Sequence, residues 1–229
     1  MTRVTIAVPP CPYDAIIENG LLERAGEQLR GVVGNRQQFF VVTVPPVRRK
    51  WAKKLIMSLS AAGLTARVVE MSDGERHKKL ATVEQLAEKL TRLGADRNAV
   101  IVAFGGGVVG DVAGLLASLY MRGVDLAQIP TTVQAQLDAA IGGKTGVNLR
   151  TGKNLLGTFH QPRLVLIDPA VLSTLPEREF RAGLYEALKC GVIGNPALFD
   201  CLEKNPGEGV TPRCCGVGVG DRGIGTAEG

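Results

Sequence analysis

A chain of 229 residues, 45% hydrophobic and 21% charged, can bury a full-sized core and has the composition of a soluble globular protein. Its net charge of +5 comes from scattered lysines and arginines, and with aromatics at 4% there is no basic, aromatic-laced cluster of the kind nucleic-acid binding requires. No apolar run is long enough for a membrane span, no signal-peptide core is visible, and five cysteines without a CxxC pair exclude a disulfide framework and a thiolate zinc site, so a reducing, cytoplasmic setting is expected.

Val4 to Val8 reads as a short strand, at the edge of a sheet or in a hairpin with the extended segment Tyr13 to Ile17. Leu21 to Leu29 reads as helix. Gln38 to Val44 is a buried strand ended by Pro45-Pro46. Val47 to Ala62 is an amphipathic helix stopped by Gly63, and Ala66 to Met71 is a strand. Ser72 to Lys79 is a polar loop, and Leu80 to Leu93 repeats apolar residues at helical spacing. Ala99 to Phe104 is apolar throughout, as a strand covered on both faces should be. A helix runs from about Val109 to Met121, strands span Asp125 to Ile129 and Leu164 to Ile167, and Pro176 opens a helix to about Val192. This alternation predicts an α/β fold with an open, mostly parallel, Rossmann-like sheet from about residue 38 to 168.

Between Asp138 and Asn154 the chain sets one carboxylate, Lys144, Lys153, Asn148 and Asn154 in a glycine-rich neighbourhood. The pair Gly142-Gly143 allows close backbone approach and a lysine is a compact charge for phosphate, so the segment suits a small polyanionic, polyhydroxylated molecule. A surface loop with two lysines is the plainer interpretation. Gly105, Gly107 and Gly110 form G-x-G-x-x-G between strand and helix, where backbone and helix N-terminus can hold a pyrophosphate. The ribose-binding acid about 20 residues on would be Asp125; a tight turn needing glycine is the alternative. Asp73-Gly74-Glu75-Arg76-His77-Lys78 follows a strand, where carboxylates accept from ribose hydroxyls and Lys78 can neutralise phosphate. Glu186 and Lys189 share a helix face, as site residues or as an ordinary ion pair. His77 and His160 form no metal-spaced pair.

Together the segments DGERHK (73–78), GGGVVGDVAG (105–114), YMRGV (120–124), IPTT (129–132), LDAAIGGKTGVN (137–148), GKN (152–154), LIDPAVLSTLPERE (166–179) and GLYEALKCGVI (183–193) resemble 3-dehydroquinate synthase. The resemblance implies an NAD-binding half and a mainly helical half. It also implies conversion of 3-deoxy-D-arabino-heptulosonate 7-phosphate to 3-dehydroquinate and phosphate in the shikimate pathway. It further implies NAD and a divalent zinc or cobalt as cofactors, and a homodimer for the intact protein. By motif, the implied NAD contacts are Asp73, Gly74, Glu75, Lys78, Gly106, Gly107, Val108, Val109, Gly110, Asp111, Thr131, Thr132, Lys144, Lys153 and Thr174. Asp138, Lys144, Asn154 and Lys189 are implied at the substrate, Arg122 at the phosphate in a neighbouring subunit, and Glu186 as a metal ligand.

The family pattern is not followed everywhere. Asp138-Ala139-Ala140 stands where the family usually reads Asp-Ser-Ser, and Tyr185 where a small residue is usual. No histidine follows His160, so the two histidine metal ligands of the helical half are missing. The implied layout is residues 1–172 as the nucleotide domain, 173–205 as the start of a truncated helical domain, and 206–229 as a tail. A third of that tail is glycine, without Leu, Phe or Met, as expected of an unpacked segment translated out of frame. Negligible phosphate release is expected from such a chain alone. A related cyclase such as 2-deoxy-scyllo-inosose synthase, a polyol dehydrogenase of the same fold, or a non-catalytic NAD-binding fragment are the competing possibilities.

Overall fold

The computed structural model describes residues 1–9, 11–34 and 38–204. The glycine-rich tail, and with it the expectation that it is unpacked, lies outside the described residues. The chain divides into two compact units, Met1–Gly183 and one opening at Leu184. No helix among the described residues is long and apolar enough to cross a membrane.

In chain order the first unit carries β1 (Thr2–Ile6), β2 (Tyr13–Ile17), a 3-10 turn Leu21–Arg24, α1 (Ala25–Val33) and β3 (Phe39–Thr43). A helical turn, α2 (Pro45–Val47), and a wider π turn Arg48–Ala52 lead into α3 (Lys53–Ala61), β4 (Ala66–Glu70) and α4 (Leu80–Arg92). Then come β5 (Val100–Gly105), α5 (Gly107–Leu119), β6 (Asp125–Pro130), a π turn Ala135–Ala139, β7 (Lys144–Leu149), β8 (Gly152–Phe159) and β9 (Leu164–Ile167). A long helix, α6 (Glu177–Gly194), crosses the unit boundary, and α7 (Pro196–Lys204) follows.

Seven strands form one sheet in the order β1-β2-β9-β6-β5-β3-β4. Its pairs are parallel from β2 to β4, and only β1 runs antiparallel, against β2. Both expectations for the N-terminal strand therefore hold at once, because β1 is a sheet edge and half of a hairpin. The chain steps from β3 outward to β4, then crosses back to β5 on the other side of β3. Strand order thus reverses between β3 and β5, and open sheets of this kind offer a crevice beyond the carboxyl ends of the strands there.

Alternation along the central strands builds two cores. Phe40 and Val42 of β3 and Ile101 and Ala103 of β5 face Val83, Leu86 and Leu90 of α4 and Val112 and Leu116 of α5. Phe39, Val41, Val100, Val102 and Phe104 face the opposite way, toward Leu29 of α1 and Leu55 and Leu59 of α3. A period of two on strands sandwiched by helices explains why β3 and β5 are buried at every position. The N-terminal segment is held by Asp168, whose buried carboxylate accepts the N–H groups of Gly20 (2.9 Å), Leu22 (3.0 Å) and Ala170 (2.9 Å).

In the second unit, α7 starts on a cap: the Asn195 side chain accepts the Leu198 N–H at 3.1 Å, with Pro196 in the first turn. Gly191 lets the two helices meet, since a Cβ there would lie 3.0 Å from the Phe199 backbone nitrogen.

Two glycines on α1 separate helix propensity from packing. A Cβ on Gly26 would lie 2.2 Å from the Ser58 carbonyl oxygen of α3, whereas one on Gly31 would meet nothing within 4 Å. Gly31→Ala should raise stability by up to about 1 kcal/mol. Gly26→Ala should lower it by about 1–3 kcal/mol and the melting midpoint by several degrees, because overpacking exceeds the propensity gain. Thermal melts of both variants check this; equal shifts would contradict the α1–α3 packing.

Candidate functional site

A cleft of about 1200 Å³ opens beyond the carboxyl ends of β3, β5 and β6. Its floor is the turn after β5. Gly106 precedes α5, and the first helical bond of that turn runs from the Gly110 N–H to the Gly106 carbonyl at 3.0 Å. The N–H groups of Gly107, Val108 and Val109 therefore come before the intrahelical ladder and carry the positive end of the helix.

The glycines here serve space rather than unusual torsion, since none of Gly105, Gly106, Gly107 and Gly110 has positive φ. A Cβ on Gly106 would lie 2.9 Å from the Thr132 methyl, and one on Gly110 3.1 Å from the Gln128 amide oxygen of β6. Gly107 is open by comparison: its Cβ would clear Ala139 at 3.4 Å and project toward the cleft that both residues line.

The expected loop between Asp138 and Asn154 is instead half of a β-hairpin. Lys144 begins β7, and Lys153 and Asn154 lie on β8. The two strands approach closely because Gly146 faces Gly157, where a Cβ on Gly157 would meet the Thr145 carbonyl oxygen at 1.9 Å. The hairpin lies against α5 through Gly114, whose missing Cβ leaves room for the Thr145 methyl. Between the pairs Val147–Leu156 and Leu149–Gly152, Asn148 alone faces Lys153, Asn154 and Leu155. This bulge re-aims the latter residues, and Asn154 takes a left-handed φ of 57°. Ahead of β7, Gly142 (φ 88°) and Gly143 (φ 66°) make the turn, held by the Tyr13 hydroxyl, which accepts the Gly142 N–H at 2.9 Å.

The cleft brings together Asp73, Gly74, Glu75, Lys78, Gly106, Gly107, Val108, Val109, Asp111, Thr131, Thr132, Asp138, Lys144, Lys153, Asn154 and Thr174. Gly110 stands behind the wall, packed on Gln128. Arg122 lies beyond the far end of α5, a 13-residue helix about 20 Å long, and does not line the cleft. Met121 (φ 48°) and Arg122 (φ 70°) are successive non-glycine residues in left-handed conformation, a strained turn that ends at Gly123. Glu186 and Lys189 belong to the second unit, where the Lys189 ammonium donates to Glu186 Oε1 at 2.6 Å.

Two expectations are corrected. Lys78 is not a free cation for phosphate: at 6% exposure its ammonium pairs with Asp111 and donates to the Asn154 side chain. Asp125 cannot read a ribose held by the glycine turn. It opens β6 opposite Val100, whereas that turn follows the other end of β5, and it pairs with Arg163 at 2.9 Å. Sequence reasoning also missed the wall that follows β3, namely Val44, Pro46, Val47, Lys50 and Trp51. Trp51 Nε1 donates to Thr174 Oγ1 at 2.8 Å, and the Lys50 ammonium donates to the Thr174 carbonyl at 2.7 Å. The signal for this wall was topological: β3 neighbours β5, and Pro45-Pro46 ends its strand.

The charges of the cleft are largely balanced. Lys144 meets Asp138 at 3.3 Å, but both are well exposed, so the pair contributes little to stability and can open to a ligand. Among the described residues Lys153 forms no ion pair. Asp111 is different: burial raises its pKa, and the opposing pull of Lys78 does not fully offset this. Because folded Asp111 keeps its proton to higher pH than the unfolded chain does, this group lowers stability as pH rises from the ordinary carboxylate range through its own pKa. A carboxyl-carbon NMR titration should place Asp111 above ordinary aspartates; a midpoint below them would show pairing outweighing burial.

The family model "3-dehydroquinate synthase N-terminal" matches residues 68–182, half of the chain. The 3-dehydroquinate synthase of Koribacter versatilis (strain Ellin345) is 54% identical over 205 residues, covering 90% of this chain and 56% of that protein. The chain thus spans a little over half the length of the curated relatives it matches. Among solved structures, 2-epi-5-epi-valiolone synthase from Streptomyces hygroscopicus subsp. jinggangensis 5008, with NAD+ and Zn2+ bound, superposes with a TM-score of 0.78 at 36% identity, over 88% of this chain and 55% of that one. A 2-deoxy-scyllo-inosose synthase complexed with carbaglucose-6-phosphate, NAD+ and Co2+ gives 0.74 at 30% identity, over 82% and 51%.

Proposed function

The chain belongs to the 3-dehydroquinate synthase family, and from that premise we propose that its first unit is the nucleotide-binding half of such an enzyme. The whole enzyme would convert 3-deoxy-D-arabino-heptulosonate 7-phosphate to 3-dehydroquinate and phosphate. The observation that carries the reading is the glycine turn at the strand-order reversal, with three helix N–H groups facing a cleft large enough for a dinucleotide.

The residues present fit NAD. Gly106 and Gly107 leave the floor free of side chains, and Val108 and Val109 supply further N–H groups toward a pyrophosphate. Asp73 and Glu75 supply carboxylates for ribose hydroxyls, with Gly74 turning the chain between them at φ 99°. Thr131, Thr132, Lys153 and Thr174 complete the polar lining, while Val44, Val47 and Trp51 offer an apolar wall for a base. When bound, the dinucleotide would take up and return a hydride, leaving no net oxidation. This chain's own groups would bind and orient. Lys144 and Lys153 would attract the phosphorylated substrate, Asp138 would hold the Lys144 ammonium until that substrate arrives, and Asn154 would hydrogen-bond its hydroxyls.

The metal is a different matter. Among the described residues no group of three or more His, Cys, Asp or Glu side chains could hold an ion. Glu186 supplies one carboxylate, already engaged by Lys189. These residues do not make a metal site. Lys189 remains a substrate contact of the second unit in this proposal. Arg122, about 20 Å from the glycine turn on its own chain and presented by a strained turn, would serve the phosphate site of a second copy in a homodimer.

Trp51 is the sole tryptophan of the chain and lines the cleft, so it reports occupancy. Titration with NAD should change its fluorescence saturably, and Gly107→Val should weaken binding at least about tenfold with little loss of stability, because its Cβ fits but its branch fills the anion approach. A saturable response unaltered by the substitution would remove the glycine turn from the site; no response would remove the nucleotide.

A further inference from the structure

We infer that Asn148, which does not line the cleft, is a positioning residue that couples the nucleotide loop to the substrate-facing Asn154; the inference rests on the nucleotide reading above. Asn148 sits opposite the β8 bulge and touches three segments at once. Its side-chain amide donates to Glu75 Oε1 at 2.7 Å, its side-chain oxygen accepts the Asn154 N–H at 2.9 Å, and its own N–H donates to the Lys78 carbonyl at 2.8 Å. The Asn154 side chain then accepts from the Lys78 ammonium, which pairs with Asp111 of α5.

These bonds close a ring. Asn148 holds Asn154 by the backbone, Lys78 holds it by the side chain, and Lys78 is itself held by Asn148. Asn154 has left-handed backbone, which asparagine tolerates better than most residues and which the bond from its N–H to Asn148 helps hold. Every polar function of the Asn148 side chain used here is complementary: its donor meets a carboxylate that can only accept, and its acceptor meets an N–H. A ligand that fixes Glu75 therefore acts on Asn154 through Asn148. Cofactor arrival would preorganise the far side of the cleft before substrate binds.

The test uses the full 229-residue chain as wild type, Asn148→Ala, Asn148→Asp, Glu75→Gln and the double variant. NAD affinity is read by calorimetry, stability by thermal melting, and the Asn154 N–H by NMR hydrogen exchange. Asn148→Ala should weaken NAD about fivefold to tenfold and speed Asn154 exchange. Asn148→Asp sets two carboxylates face to face and should weaken NAD further. Adding Glu75→Gln to it restores a hydrogen bond with donor and acceptor exchanged, and should recover part of that affinity. Unchanged affinity in Asn148→Ala with only a lower melting midpoint would reduce the residue to a structural one and overturn the inference, as would losses in the double variant that merely add. If the wild type binds no NAD, the nucleotide reading fails. Asn154 exchange then decides the bridge separately, with faster exchange in Asn148→Ala supporting it and equal exchange refuting it.

Discussion

One buried ammonium organises the site. Lys78 leaves the loop after β4, enters a place with 6% exposure, and must find anionic and polar partners there. It finds Asp111 on α5 and Asn154 on β8. Three segments far apart in the chain thus meet at one charge: the loop that follows an edge strand, the helix on the glycine turn, and the hairpin. Removing the charge would leave the partly buried Asp111 without its cation. Removing Asp111 would leave the ammonium without its anion.

Much of the fold was legible because two periodicities were clean. Phe39 to Val42 and Val100 to Phe104 are apolar at every position, as a doubly covered strand requires, and α4 repeats its buried residues at helical spacing. The hairpin was not legible. Along β8 almost every side chain is partly or fully exposed, including Leu155 and Phe159, and the glycines of β7 and β8 interrupt any alternation. Its strands exist because glycine faces glycine and because Gly114 of α5 admits Thr145, and these are tertiary causes. Sequence spacing carries no record of them. α7 went unread as well, although Asn195-Pro196 is the capping pair that begins it.

The site was legible as a list of residues and illegible as a set of relations. Motif matching drew sixteen of its residues to one cleft, yet it treated lysines as interchangeable cations. Lys78 is spent on structure, Lys144 is lightly tethered to Asp138, and Lys153 is unpaired among the described residues. The wall after β3 carries no glycine-rich or carboxylate motif, so the reversal of strand order is what reveals it. Asp125 had the right spacing from the glycines and the wrong end of its strand, which shows how a sequence interval can mislead when direction along the sheet is unknown.

The central claim is that a dinucleotide lies on the glycine turn at the β3–β5 reversal. A crystal structure of the chain with NAD tests it most directly. The account predicts pyrophosphate oxygens about 2.7–3.1 Å from the N–H groups of Gly107, Val108 or Val109, with the Lys78–Asp111–Asn154 cluster intact beside them. A dinucleotide bound elsewhere, or bound here with its phosphates away from that turn, would contradict it.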